Sequence, residues 1–157
     1  MPVHHTHNEE ETRALAGAFA RALEPGATVA LSGDLGSGKT AWVRGMCAAY
    51  ACEEQVSSPT FTIVNEYRGV RHVLHCDVYR LRSIDEMFEA GLDEMFDSDA
   101  VVLVEWAEKM LALLPFPRWE ILCEHGGDET ERRYTVVHVA DQGSSILEET
   151  GDMESMP

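Results

Sequence analysis

The stretch Gly33-Asp34-Leu35-Gly36-Ser37-Gly38-Lys39-Thr40 decides the fold of this chain, because it matches the phosphate-binding pattern G-x-x-x-x-G-K-[ST] at every fixed position. The apolar run Thr28-Val29-Ala30-Leu31 before it predicts a short buried strand, and residues 41–46 after it predict the start of a helix. Strand, glycine-rich loop and helix are the context that the pattern requires. The alternative, an ordinary glycine turn, is disfavoured by these flanking elements.

The backbone of this loop is predicted to hold a di- or triphosphate. Glycine lets successive N–H groups turn toward one point, and the helix that follows adds its free N–H groups and the positive end of its dipole. Lys39 is expected to reach the β- and γ-phosphates, and the Thr40 hydroxyl is expected to bind Mg²⁺. The predicted nucleotide contacts in this segment are Asp34, Leu35, Gly36, Ser37, Gly38, Lys39, Thr40 and Ala41.

Charge and composition argue against several other classes of protein. The chain has 157 residues, 45% of them hydrophobic, which suits one domain with a core. Its 28 acidic and 12 basic residues give a net charge of −16, whereas an extensive grip on nucleic acid needs clustered Lys and Arg. No apolar run approaches the length of a membrane span. The polar start Met1-Pro2-Val3-His4 shows no secretion signal, so a cytoplasmic location is expected.

Cysteine and histidine patterns give little support for a metal centre. None of the four cysteines forms a C-x-x-C pair, which predicts buried, reduced thiols. His72, His75 and Cys76 lie close in sequence, but residues 72 and 75 of a strand face opposite sides, so a shared metal ion is disfavoured. The histidines that precede Asn8 are interpreted as an adventitious chelating group or as part of a disordered start.

The rest of the chain predicts alternating helices and strands. Asn8 is the expected N-cap of a first helix that Pro25-Gly26 ends, and the helix after the loop is expected to run to about Ala51. Further strands are predicted at 61–67, 70–79, 100–105, 118–124 and 132–140, and further helical segments at 84–90, 92–96 and 107–114.

This order predicts an α/β fold, a P-loop NTPase-like three-layer sandwich with a mixed central sheet and helices on both faces. Residues 1–147 are expected to form a single P-loop ATPase domain. Residues 148–157 are expected to form an acidic, flexible tail.

Two acidic residues that end buried runs are candidates for the metal side of the site. Glu105 follows the apolar run 101–104, and Asp77 follows the run 73–76. Either carboxylate would bind Mg²⁺ or orient the attacking water. The alternatives are a surface acid for Glu105 and a turn residue for Asp77.

Weaker signals surround these acids. Thr60, in the turn-forming sequence Ser57-Ser58-Pro59-Thr60, would either cover the γ-phosphate as a switch or belong to a simple turn. Trp106 would either stack on a base or pack in the core. No N-K-x-D motif supports guanine specificity. Three arginines remain candidates for an arginine finger: Arg44, Arg80 and Arg132.

Taken together, these blocks resemble the TsaE family (also called YjeE) of small bacterial P-loop ATPases that act in tRNA threonylcarbamoyladenosine formation. The resemblance covers about residues 8–140. Beyond the loop it rests on three further blocks in the family's order, namely Ser58-Pro59-Thr60-Phe61-Thr62-Ile63-Val64-Asn65-Glu66-Tyr67, His75-Cys76-Asp77-Val78-Tyr79-Arg80-Leu81 and Val104-Glu105-Trp106-Ala107-Glu108.

The resemblance implies roles for particular residues. Lys39 and the loop amides would hold ATP, Thr40 and Glu105 would bind Mg²⁺ with Asp77 nearby, and Thr60 would lie in a switch-like loop. It also implies that Trp106 lies near the adenine and that Thr12 and Arg132 line the nucleotide. A TsaB–TsaD pair would hold the tRNA, and ATP hydrolysis would reset that pair between turnovers.

Two other functions remain open at the level of sequence. A small-molecule or nucleoside kinase also has a short chain and a phosphate loop, although Arg68, Arg71, Arg80 and Arg82 are scattered rather than gathered in a lid. A non-catalytic binding module would use ATP only to set its shape.

Overall fold

A computed structural model describes residues 2–34, 36–57 and 64–147, which form one seven-stranded sheet with helices on both sides. The strands are β1 Val3–Thr6, β2 Thr28–Ser32, β3 Val64–Arg68, β4 His72–Asp77, β5 Val101–Glu105, β6 Arg118–His125 and β7 Arg132–Val139. The α-helices of these residues are α1 Glu9–Ala22, α2 Lys39–Ala49 and α3 Ile84–Glu89. None of these helices combines the length and the apolar character that crossing a membrane requires.

The sheet is mixed, as predicted. Its strand order is β1-β7-β6-β2-β5-β4-β3. The central strand β2 runs parallel to both β5 and β6, and β4 runs parallel to β5. Antiparallel pairs, β1 with β7, β6 with β7 and β3 with β4, complete the two sides. The parallel centre aims the carboxyl ends of β2, β4 and β5 at one edge, where the loop before α2 begins.

Alternating side chains of the central strands build two cores. Val29 and Leu31 of β2 face α1 and α2, where Trp42 and Met46 are fully buried. Ala30, between them in sequence, faces the other side, where α3 and several short 3₁₀ turns pack. Burial on both faces explains why β2 reads as a continuous apolar run. This arrangement confirms the three-layer sandwich.

The first residues form a strand, which corrects the interpretation of a disordered start. Val3–Thr6 pairs antiparallel with β7, from Val3 opposite Thr135 to Thr6 opposite Arg132. The Oγ1 of buried Thr6 lies 2.7 Å from the Oγ1 of Thr12 in α1. This edge strand is short and mostly polar. Its pairing with β7, rather than an alternation of apolar and polar residues in its own sequence, makes it a strand.

Helix boundaries differ from the predictions at two places. Asn8 caps α1 as expected, because its Oδ1 accepts a hydrogen bond from the N–H of Glu11 at 2.8 Å. The predicted helix at 107–114 is instead two 3₁₀ turns, Ala107–Lys109 and Leu111–Leu113. Met110, between the two turns, has a non-helical backbone with φ −138° and ψ 29°, so the turns do not join into one helix.

The other difference concerns α2, which ends at Ala49 rather than at Ala51. Ala51 has a positive φ of 54°, a backbone conformation that a helix does not contain.

Candidate nucleotide site

A cleft of about 510 Å³ lies at the edge where the parallel strands end. Its floor is the loop before α2 and the first turn of that helix. The carboxyl ends of β4 and β5 form one side, and residues of α1, β7 and the β6–β7 turn form the other. The lining side chains include Thr12, Gly36, Ser37, Gly38, Lys39, Thr40, Ala41, Arg44, Asp77, Glu105, Trp106, Glu129, Thr130, Arg132 and Tyr134.

The first turn of α2 presents uncapped backbone N–H groups to this cleft. Its N-cap is Gly38, which has a left-handed backbone (φ 104°, ψ 14°) and makes no side-chain capping hydrogen bond. The N–H groups of the first turn have no acceptor within the helix itself. Ser37 is buried, and its Oγ has no hydrogen-bond partner among the described residues. Uncapped amides and an unpaired hydroxyl fit a phosphate group.

Gly38 is predicted to be intolerant of a larger residue. A Cβ at this position would collide with the hydroxyl of Tyr134, in addition to the strain of its positive φ. We expect Gly38→Ala to lower the free energy of unfolding by more than the roughly 1–2 kcal/mol of left-handed strain alone, and to weaken nucleotide binding. Urea unfolding and nucleotide titration measure the two effects.

Gly91 provides the matched control for this substitution. It also has a positive φ, 76°, but a Cβ there would meet no atom within 4 Å. Gly91→Ala should therefore show the strain without the collision, and nucleotide binding should stay unchanged. Equal losses of stability in the two variants would contradict the role given to the Gly38–Tyr134 contact.

Lys39 lies inside the cleft with its ammonium group next to the loop backbone. The side chain is 6% exposed, and its Nζ donates to the carbonyl of Gly33 and, at 3.2 Å, to that of Asp34. The same Nζ lies 3.9 Å from the ring centroid of Trp106. A buried cation at the base of the uncapped helix gives the cleft the charge that a polyphosphate requires.

Trp106 therefore occupies the Lys39 side of the cleft. It follows β5, its backbone is left-handed with φ 61°, and its ring packs against Tyr79 at a centroid distance of 4.7 Å, with the two planes tilted by 39°. Thr12 and Arg132 line the cleft from α1 and β7, and β7 lies on the opposite side of β2 from β5. Stacking of a base on Trp106 stays a prediction.

The two candidate acids meet where their strands end. Asp77 and Glu105 are register partners at the ends of the parallel strands β4 and β5, and both line the cleft. Asp77 Oδ1 accepts a hydrogen bond from the N–H of Tyr79 at 2.9 Å. Burial raises the pKa of Asp77 above its usual value, and the neighbouring Glu105 adds to the rise, against the lowering effect of the Tyr79 hydrogen bond. Such destabilised acids are typical of functional sites.

Asp77 should reduce stability at neutral pH. Because its pKa is higher in the folded state than the ordinary value of 3.8, the folded chain binds more protons there, and stability falls as the carboxyl ionises. We expect the free energy of unfolding of Asp77→Asn to increase relative to that of the wild type as the pH rises from about 4 toward 8. Urea unfolding across this range measures the difference.

Asp128 serves as the control of opposite sign. Hydrogen bonds from Thr130 and Glu131 lower its pKa, so its ionised form stabilises the fold at neutral pH. Asp128→Asn should lose stability relative to the wild type as the pH rises through the range below about 4, and its difference from the wild type should then stay constant from about pH 4 to 8. If the difference in unfolding free energy between Asp77→Asn and the wild type does not change with pH, the raised pKa of Asp77 is contradicted.

Glu105 is almost fully buried, and one of its carboxylate oxygens contacts a buried histidine. Its exposed fraction is 3%, and Oε2 lies 2.5 Å from Nε2 of His75, which is fully buried. His75 Nδ1 in turn lies 3.1 Å from the hydroxyl of Tyr67. Glu105 is thus no surface acid, and its carboxylate has a defined orientation at the cleft.

Thr12 and Arg132 support the loop from the far side. Thr12 Oγ1 lies 3.3 Å from the hydroxyl of Tyr134, which also donates to the carbonyl of Gly38 at 3.4 Å. Arg132 Nε donates to the carbonyl of Gly36 at 3.0 Å. Both predicted residues therefore line the cleft, and their bonds hold the loop between α1 and β7.

The arginine candidates separate in the structure. Arg44 lines the cleft and is paired with Glu9, its NH1 lying 3.0 Å from the carboxylate. Arg132 is bound to loop and turn carbonyls, and Arg80 does not line the cleft. Both arginines that line the cleft are thus engaged in other contacts, which disfavours an arginine finger supplied by this chain.

Three predicted site residues are not placed in the cleft. Asp34 contributes its backbone carbonyl to Lys39, but it lines a neighbouring groove with Glu108 and Glu124. Leu35 and Thr60 lie outside the described residues, as do the rest of the segment 58–63 and the tail 148–157. The roles predicted for these residues stay predictions.

Two residues of the site were missed by the sequence analysis. His75 was considered only as a metal ligand, and Tyr134 was not singled out. Tyr134 carries a usable signal, because it lies two residues after Arg132 and so faces the same side of a strand. His75 shares the face of Asp77 for the same reason.

The oxygen donors of the cleft suit a magnesium ion. The Thr40 hydroxyl and the carboxylates of Asp77 and Glu105 line the same cleft, and Mg²⁺ prefers oxygen ligands while keeping several waters and phosphate oxygens. Within the described residues no group of three or more His, Cys, Asp or Glu side chains forms a metal cluster.

A glycine loop between a buried parallel strand and an uncapped helix, with acids at the ends of the adjacent strands, defines a P-loop NTPase-like α/β protein. The family model described as "Threonylcarbamoyl adenosine biosynthesis protein TsaE" matches residues 6–134. The chain belongs to the TsaE family, which confirms the resemblance.

Individual relatives agree with this assignment. The tRNA threonylcarbamoyladenosine biosynthesis protein TsaE of Bacillus subtilis (strain 168) is 41% identical over 145 residues, which cover 92% of this chain and 90% of that protein. The protein of the same name from Rickettsia bellii is 43% identical over 117 residues, 73% and 80% of the two chains. The crystal structure of Bacillus subtilis YdiB has a TM-score of 0.76 at 38% identity, covering 88% of this chain and 86% of that one.

Proposed function

We propose that this chain is the ATP-hydrolysing component of tRNA threonylcarbamoyladenosine biosynthesis and that it resets a TsaB–TsaD-like transfer complex between turnovers. Membership of the TsaE family carries the role in this tRNA modification. The ATPase role is supported above all by one observation: the uncapped start of α2, Lys39 and the carboxylates of Asp77 and Glu105 line a single cleft.

The chemistry would rest on positioning and charge neutralisation. The first-turn amides of α2 and the Lys39 ammonium would bind the phosphates and offset the charge that develops during phosphoryl transfer. Thr40 and at least one of the two carboxylates, Asp77 or Glu105, would hold Mg²⁺, which when bound neutralises charge on the β- and γ-phosphate oxygens. Whichever of the two carboxylates is not a metal ligand would orient the attacking water.

The net charge of −16 supports an indirect role toward RNA. A chain with 28 acidic residues against 12 basic ones would repel a polyphosphate backbone over most of its surface. The tRNA would therefore be held by the partner complex, and this chain would act on that complex through its nucleotide cycle.

The proposal predicts slow ATP hydrolysis by the isolated chain and faster hydrolysis with the TsaB–TsaD pair. Phosphate release is measured with the chain alone, with the pair alone and with both. Absence of stimulation would contradict the proposal. Partner binding that depends on ATP without phosphate release would favour a nucleotide-gated module, and a phosphorylated acceptor in a substrate screen would favour a kinase.

A further inference from the structure

His75 is a fully buried histidine directly behind the cleft. It does not line the cleft, but its Nε2 lies 2.5 Å from Oε2 of Glu105, which does. It reaches that oxygen from β4, the strand beside β5. An apolar side chain would fill the same space without the cost of burying two polar nitrogens. The contact with Glu105 therefore indicates that His75 does more than fill the core.

The hydrogen-bond chemistry of this contact assigns the proton. An ionised carboxylate accepts hydrogen bonds and donates none, so with Glu105 ionised the hydrogen of this contact lies on Nε2 of His75. In the neutral ring Nδ1 is then an acceptor, and the hydroxyl of Tyr67 lies 3.1 Å from it. Donation of the Tyr67 hydrogen to Nδ1, in place of the Ser57 carbonyl, would select the tautomer with its hydrogen on Nε2.

Tyr67 is itself fixed by its surroundings. It is 2% exposed, and burial raises the pKa of its hydroxyl, which keeps the proton in place. Its hydroxyl carries one hydrogen, for which Nδ1 of His75 and the carbonyl of Ser57, at 3.0 Å, are alternative acceptors, and its oxygen receives the N–H of Ser57 at 3.3 Å. The chain of contacts Ser57, Tyr67, His75 and Glu105 therefore runs from a loop through the sheet to the cleft.

We propose that His75, held by Tyr67, is a positioning residue that fixes the Glu105 carboxylate for ATP hydrolysis. The inference rests on the proposed ATPase function and deepens it. With Oε2 engaged by His75, rotation of the carboxylate is restricted, and its other oxygen is the one available to a metal ion or a water molecule. Such outer-shell contacts orient the groups that carry the chemistry.

Three variants test this role in the full chain with the partner pair. His75→Leu removes both nitrogens, His75→Gln restores one amide N–H near Glu105, and Tyr67→Phe removes only the hydroxyl. We expect His75→Leu to lower kcat about 10- to 100-fold, His75→Gln to recover part of that loss, and Tyr67→Phe to lower kcat about 3- to 10-fold. The Kd for a non-hydrolysable ATP analogue should stay within about twofold of the wild type.

Tyr50→Phe is the matched control for the hydroxyl. Tyr50 is also buried, and its hydroxyl donates to the carbonyl of Ala20 at 2.7 Å, away from the cleft. This variant loses the same group but should retain kcat. An equal loss of kcat in Tyr50→Phe and Tyr67→Phe would show that the effect of Tyr67→Phe reflects a general loss of stability, and it would overturn the inference.

A spectroscopic measurement makes the test independent of activity. The imidazole N–H of His75 should give a downfield, slowly exchanging proton resonance that shifts in Glu105→Gln and in Tyr67→Phe but not in Tyr50→Phe. If His75→Leu does not fold, Tyr67→Phe and this resonance still decide the question.

The outcomes separate the inference from the proposed function. Unchanged kcat in folded His75→Leu and Tyr67→Phe, in a wild type that hydrolyses ATP, overturns the positioning role and leaves the ATPase intact. If the wild type shows no hydrolysis with the partner pair, the proposed function fails, and the inference fails with it as a statement about catalysis. If the His75 N–H resonance does not shift in Glu105→Gln, the contact between His75 and Glu105 itself is contradicted.

Discussion

Lys39→Ala is expected to lower nucleotide affinity about 10- to 100-fold and kcat for ATP hydrolysis about 100- to 1000-fold. Lys39 supplies the cation buried at the base of the loop, with its Nζ between loop carbonyls and the ring of Trp106. Under the proposed function, loss of this cation would remove hydrogen bonds to the phosphates and the neutralisation of charge during transfer. Titration with an ATP analogue and phosphate release with the partner pair measure the two effects.

The other lysine of the chain is the control. Lys109 does not line the cleft, and its Nζ donates to the carbonyl of Tyr79 at 2.5 Å. Lys109→Ala should leave nucleotide affinity within about twofold of the wild type. Wild-type affinity and turnover in Lys39→Ala would show that the loop does not bind phosphate in the way proposed.

Glu105→Gln is expected to abolish most turnover while nucleotide binding remains. The amide has the shape of the carboxylate, so the buried position of Glu105 stays filled, but the negative charge and the basic oxygen are lost. A group that accepts a proton or orients the attacking water contributes about 100- to 10,000-fold to rate. Phosphate release should fall within that range, and the Kd for the ATP analogue should change little.

The Mg²⁺ requirement of this variant distinguishes the two roles left open for Glu105. A higher Mg²⁺ concentration for half-maximal turnover would identify a metal ligand, whereas an unchanged requirement with low kcat would identify a residue that orients water. Glu108→Gln, three residues on, is the control, because its carboxylate lies in the neighbouring groove and accepts from Ser32 Oγ at 2.5 Å. Unchanged turnover in Glu105→Gln would remove Glu105 from the site.

The centre of the fold could be predicted because its signals are local. The continuous apolar runs of β2 and β5 report burial on both faces, and the glycine pattern before α2 reports a loop conformation that few other residues adopt. Asn8 is a further example, because a capping side chain acts on an N–H only three residues away. The same locality explains why Lys39 and Thr40 could be placed at the start of α2 from the motif.

The peripheral elements could not be predicted because their stability comes from partners distant in sequence. The strand Val3–Thr6 pairs with residues 132–135, and no periodicity within these four residues, three of them polar, reveals it. The segment 107–114 has helical composition, yet between the left-handed Trp106 and Pro115 it forms only 3₁₀ turns. Local propensity is a weak signal where so few residues are available.

The candidate site divides in the same way. The sequence by itself determined the phosphate loop, the order of the blocks and the acids that end two strands, because each depends on residue type at short spacing. Only the tertiary structure decided that Trp106 packs on Lys39, that Tyr134 approaches Gly38 and that His75 holds Glu105. These contacts join residues on different strands, and their geometry is set by strand order and register, which no local pattern in the chain encodes.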